Sequence, residues 1–81
     1  MNYWVQVYSF IRKDFVTATN FHGGVGGSQR IATNNQQEAI DIFNNFIEKQ
    51  KGKEVAQYRL VKSWYEGNIY KSEVVSVVFT K

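Results

Sequence analysis

The chain contains no cysteine and no proline, and only one histidine and one methionine in 81 residues. Without cysteine there is neither a disulfide staple nor a thiolate to hold a soft metal. With a single histidine, a zinc site built within one chain would depend mainly on carboxylates. No apolar run approaches the ~18 residues of a membrane span. The first residues, Met1-Asn2-Tyr3-Trp4-Val5-Gln6-Val7-Tyr8, have neither a basic start nor an uninterrupted apolar stretch, so no secretory signal is read there. These absences predict a soluble cytoplasmic protein with no membrane association, no metal and no cofactor. Charge of one sign is also scarce. Ten basic and seven acidic residues leave a formal net charge of +3. The densest basic group is Lys49, Lys51 and Lys53, interrupted by Glu48 and Glu54. It reads as solvated surface near a helix C-terminus, where cations complement the helix dipole.

Aromatic side chains and a glycine cluster make up what is plentiful. Six Phe, five Tyr and two Trp supply a small domain with core material, at ~150–250 Å² buried per ring. Four of the six glycines fall within five residues, in His22-Gly23-Gly24-Val25-Gly26-Gly27-Ser28-Gln29-Arg30. Glycine reaches positive φ without penalty and is costly to order. Such a run is either a connector or a place where backbone approaches a ligand closely.

Residues 3–11 read as a strand with two faces: Tyr3, Val5, Val7, Ser9 and Ile11 on the core side, and Trp4, Gln6, Tyr8 and Phe10 on the other. Arg12-Lys13-Asp14 is a polar break, and residues 15–21 resume strand character, making a hairpin. Residues 28–32 can return as a brief edge strand. Thr33-Asn34-Asn35-Gln36 has the form of a capping box and predicts a helix over residues 34–51. Ala39, Ile40, Phe43, Phe46, Ile47 and Gln50 form its inward stripe, widened by Ile42, and Gln37, Asp41, Asn44, Asn45 and Glu48 its wet face. Gly52 stands where a helix commonly stops. Residues 55–65, a Glu66-Gly67-Asn68 turn and residues 69–80 form a second hairpin. Val74-Val75-Ser76-Val77-Val78-Phe79 is apolar in both phases, which is how a central strand reads. The expected fold is a single α+β domain over residues 1–81, β-β-α-β-β, with an antiparallel sheet of about four strands and one helix on one face. One helix leaves the other face uncovered, and this predicts a dimer or higher homo-oligomer.

No catalytic constellation emerges. The glycine run lacks the Lys-Ser/Thr of a phosphate loop, and no βαβ unit follows it. His22 has no marked nucleophile beside it. Asp14, Glu38, Asp41, Glu48 and Glu73 are scattered. Two candidate surfaces remain. One is the loop, with His22, Gly23, Gly24, Gly26, Gly27 and Arg30, contacting an anionic group or a protein partner through backbone amides and a guanidinium. The other is an aromatic sheet face, with Tyr8, Phe10, Trp64, Tyr65 and Tyr70 beside Arg12, Arg59, Lys62 and Lys71. That face suits a small core, an interface or base stacking.

The general texture is short, rich in Asn, Lys and Tyr, and free of Cys and Pro. It resembles that of small early proteins of phages and mobile elements, among which compact α+β inhibitors of host defence, including anti-CRISPR-type proteins, are a familiar class. The resemblance covers the whole chain loosely and transfers no functional residue. It implies a non-enzymatic binding protein in the host cytoplasm that occludes a host protein, or that sequesters a small anionic ligand or nucleotide. The alternative is a nucleic-acid-binding module using the aromatic-basic face. The loop yields its own prediction. β-branched residues resist positive φ, so Gly24→Val/Gly26→Val, and separately Arg30→Ala, should leave helix content and melting unchanged. Both should weaken partner binding about tenfold or more, roughly 1.4 kcal/mol, as read by circular dichroism beside a binding titration. Wild-type affinity in both variants would reduce the loop to a spacer.

Overall fold

The sheet is built outward from its first strand. β1 (Asn2–Ser9) pairs antiparallel with three others. The computed structural model describes residues 1–22, 29–53 and 56–80, so the glycines at 23, 24, 26 and 27 lie outside the described residues. β1 reverses through residues 10–13 into β2 (Asp14–Thr17). Lys13 takes φ 55° in this turn, the Ser9 hydroxyl accepts from Arg12 N, and the Asp14 carboxylate accepts from Phe15 N at 2.8 Å. The strand predicted to reach residue 11 therefore ends two residues early. Ile11, expected on the core side, is 95% exposed. β2 likewise stops at Thr17 rather than residue 21. Ala18 N donates to Val5 O at 2.9 Å, the chain turns, and Ala18 and Phe21 enter the core from outside any strand.

β3 (Arg30–Ala32) pairs with the first half of β1, with Ile31 opposite Tyr3. β2 and β3 thus share one edge of β1. On its other edge β1 meets β4 (Ala56–Glu66), with Val5 opposite Leu60, and β4 meets β5 (Ile69–Thr80). Among the described residues the result is a single-helix α+β fold, β-β-β-α-β-β, with a five-stranded antiparallel sheet of order β2-β1-β4-β5 and β3 beside β1. The fold class is the expected one, and the brief edge strand is its fifth strand.

The helix α1 (Gln36–Gln50) is capped by Asn35, whose side chain accepts from Glu38 N at 3.2 Å. Thr33, the expected cap, instead accepts from Asn35 N at 3.0 Å and shapes the approach. The capping pattern operates two residues downstream because Asn35 and Glu38 have the same spacing and equivalent chemistry. At the other end Gly52 takes φ +81° just beyond the last turn. The inward stripe is as read. Ala39, Phe43, Phe46, Ile47 and Gln50 are buried, and Ile40 and Ile42 pack at the margin. Phe46 makes edge-on contacts with Phe21 and Tyr58 at 5.2 and 5.3 Å. These residues close over Tyr3, Val5, Ile31, Tyr58 and Leu60 to form the core.

The β4–β5 hairpin turns through Gly67-Asn68, where Gly67 takes φ +65°. At its far end Thr80 is fully buried, and its hydroxyl accepts from Ala56 N and donates to Ala56 O. β5 departs from its expected place: it is the edge strand, and β1 and β4 are central. Its apolar run in both phases comes instead from a bulge. Leu60 pairs with Ser76 but Val61 pairs with Val74, which leaves Val75 as the extra residue. The bulge resets the strand's phase. Val75 and Val78 pack on the core, while Val74, Val77 and Phe79 are 45%, 50% and 60% exposed. An apolar run in both phases thus served one covered face and one open face. Phe43, with no exposure, is the helix's central anchor. Phe43→Ala should cost ~3–5 kcal/mol, most of the stability of a domain this size, and this should appear as a large fall in melting temperature. Parental melting would show that the helix face is misplaced.

Candidate functional site

Opposite residues of paired strands share a face, so the register defines what the uncovered side of the sheet carries. It carries Asn2, Trp4, Gln6 and Tyr8 of β1, Phe15 and Thr17 of β2, and Arg30 and Ala32 of β3. β4 adds Gln57, Arg59, Val61, Ser63 and Tyr65, and β5 adds Tyr70, Ser72, Val74, Val77 and Phe79. Two arginines are the only charged residues of this set. The carboxylates of the described strands, Asp14, Glu66 and Glu73, belong to the helix side by the same register.

At the centre of one half of this face lies Arg59. Its Nε donates to Gln6 Oε1 at 2.7 Å, and its guanidinium carbon sits 3.9 Å from the centroid of the Phe15 ring. Tyr8 stands edge-on to Phe15 at 5.4 Å and to Phe10 at 5.1 Å. Val77 is directly across from Arg59, and Phe79 is across from Gln57. The strands hold this arrangement in register. Gln6 faces both Arg59 and Thr17, and Tyr8 faces Phe15. A guanidinium stacked on an aromatic face and tied at Nε keeps its remaining N–H fork pre-oriented for a planar acceptor. No ion pair joins Arg59 to a carboxylate among the described residues. The other half is closed by Trp4, whose indole N–H donates to Ser63 Oγ at 3.0 Å. Val61 is only 7% exposed there, although it stands outside the main core cluster.

The structure separates the aromatic platform expected from sequence. Tyr8, Arg59, Tyr65 and Tyr70 occupy the open face, and Tyr65 meets Tyr70 edge-on at 5.2 Å. Trp64 does not join them. It pairs with Lys71 on the helix side, where Lys62 Nζ lies 5.5 Å from its ring centroid. Lys62 and Lys71 are committed to that side by ion pairs with Glu73 at 3.4 Å and Glu66 at 2.7 Å. Tyr8 and Tyr65 are also far apart. Val7, beside Tyr8, pairs with Tyr58, and the seven residues from there to Tyr65 span about 24 Å. Phe10 is in the β1–β2 turn and 78% exposed, and Arg12 is beside it. Val77, Phe79 and Phe15 escaped the sequence reading. The bulge had hidden the phase of the first two, and the Phe15–Arg59 stack depends on a pairing across β1 that no local pattern announces.

The loop residues flank different surfaces. Arg30 pairs with Trp4 on the open side. His22 is exposed and lines a shallow cleft of about 360 Å³ with Asn20, Phe21, Asn45, Phe46, Lys49 and Gln50, at the end of the helix. Asn20 Nδ2 donates to Gln50 Oε1 at 3.1 Å across the cleft wall. Among the described residues no group of three or more His, Cys, Asp or Glu could hold a metal ion, and no helix is long and apolar enough to cross a membrane. No family model, curated protein or solved structure matches the chain.

Proposed function

We propose that the chain is a small non-enzymatic binding protein that acts by occlusion, laying the open face of its sheet over a surface of a protein partner. The Arg59 cluster carries this reading. It combines a pre-oriented guanidinium, three aromatic rings and two exposed apolar side chains on a face whose strand residues include no carboxylate. Centres of protein interfaces are enriched in aromatic residues and arginine and depleted of lysine and acids. The fitting partner presents an apolar patch beside an Asp or Glu carboxylate, which the Arg59 fork can engage in bidentate fashion. By the general texture of the chain, the partner is a host defence protein, blocked rather than modified. A small anionic ligand fits less well, because such ligands favour concave sites and this face is a sheet surface.

The second reading is single-stranded nucleic acid, favoured by the same stack of Arg59 on Phe15 with Tyr8 beside it, since bases stack on such platforms. One experiment separates the two. The immobilised chain is exposed to lysate of the source cell with and without nuclease, and retained species are identified by mass. The same is done with Arg59→Ala and with Val77→Ser/Phe79→Ser. Occlusion of a protein predicts a nuclease-resistant partner that both variants lose by tenfold or more, roughly 1.4 kcal/mol, while far-UV circular dichroism is unchanged. Retention of nucleic acid, with affinity falling about 0.7 log unit per log unit of salt for each phosphate neutralised on a single strand, would instead establish the second reading. Undiminished capture by both variants would move the binding surface off this face.

A further inference from the structure

β5 is a twelve-residue strand at the edge of the sheet, and no described strand pairs with its outer side. An unpaired edge is a template for another strand, and proteins commonly guard it with bulges and charges. β5 has a bulge at Val75 and two charges, Lys71 and Glu73. A charge guards an edge when it repels a second copy. These two have opposite signs and sit two residues apart, so in one register a second copy is attracted.

We propose that a second copy of this chain adds to β5 in antiparallel fashion along residues 69–75, about a two-fold axis through Ser72. Lys71 then lies opposite the partner's Glu73, and Glu73 opposite the partner's Lys71, both on the helix side. On the open side Tyr70 lies opposite the partner's Val74, and Ser72 meets the partner's Ser72. Opposite charges and aromatic–β-branched pairs are the favourable cross-strand combinations. The intrachain ion pairs extend the match. Lys62 already holds Glu73, and Glu66 already holds Lys71. The interface therefore lines up an alternating row: Lys62, Glu73, the partner's Lys71, the partner's Glu66. The pairing segment ends at the Gly67-Asn68 turn on one side and at the bulge on the other. Within it, an axis through Lys71 or Glu73 sets like charges face to face. A longer register that opposes Tyr70 to the partner's Phe79 leaves Lys71 against the partner's Val78 and brings the two bulges together. The proposal is independent of what the open face binds. It places the two open faces side by side in one continuous sheet.

A charge-swap cycle tests the register. Sedimentation should give twice the chain's mass at tens of micromolar, since an edge-strand interface falls in the small class below about 1,200 Å². Lys71→Glu and Glu73→Lys should each weaken the dimer about tenfold or more, because each sets like charges opposite at both symmetric positions. The double swap Lys71→Glu/Glu73→Lys should recover part of that loss, because it re-pairs opposite charges across the interface while opposing position 73 to Lys62 and position 71 to Glu66 within each chain. The chain has no cysteine, so Ser72→Cys supplies the only thiol. Opposed Cα atoms in antiparallel pairs are ~4.5–5.5 Å apart, within the ~4.4–6.8 Å a disulfide spans. Ser72→Cys should therefore cross-link on oxidation and Ser76→Cys should not. A monomer at every concentration, a dimer indifferent to the single reversals, or equal cross-linking at the two positions would overturn the proposal.

Discussion

The pairing of β1 with β4 is the contact on which the rest of the molecule depends. It joins the start of the chain to its last third, with Asn2 opposite Ser63 and Val7 opposite Tyr58. Its two faces have different work. On one, Val5 and Leu60 are fully buried beneath the helix. On the other, Gln6 and Arg59 meet and position the guanidinium over Phe15. Without this seam the hairpins would be separate ribbons, each marginal in water, and the helix stripe would have no sheet to cover. The seam also sets the pace of folding. Contacts between residues more than fifty positions apart require loop closure before they stabilise anything, so the local hairpins are expected to form ahead of the seam.

The polar contacts at the seam's ends are economical. Trp4 uses its single N–H on Ser63, and the Ser63 hydroxyl donates in turn to Asn2 O. Thr80 closes the opposite end of the β4–β5 hairpin by satisfying both backbone groups of Ala56. Among the described residues no buried side-chain nitrogen or oxygen is left without a partner. This matters in a domain with so small a core, because one orphaned polar group costs a sizeable part of its net stability.

Much of this was legible in the residues. The helix stripe from Ala39 to Gln50 was readable because six inward positions agree on one period, and the β5 bounds because Gly67-Asn68 and the strand-forming run after it leave little choice. The misreadings share a cause. Ile11, the end of β2 and the cap at Thr33 each depended on where the chain turns, and turns here are settled by single side-chain contacts such as Ser9 with Arg12 or Thr33 with Asn35. The aromatic platform failed for a different reason. Trp64 and Tyr65 are neighbours in sequence and so point to opposite faces, and only strand pairing decides which of them accompanies Tyr8. No composition count could place Val77 and Phe79, because a single inserted residue determines their side.

That inserted residue makes β5 unusually tolerant of its own shortening. Removing Val75 would set Ser76 directly after Val74, and these two already oppose the consecutive residues Leu60 and Val61. The ladder would become regular, with Val77 and Phe79 still on the open side and Val78 and Thr80 still toward the helix. A lineage carrying such a deletion would lose the bulge and keep its outer surface. Point substitution along residues 76–80 can therefore adjust this protein's outer face gradually, and the loss of one codon at the bulge leaves that face in place.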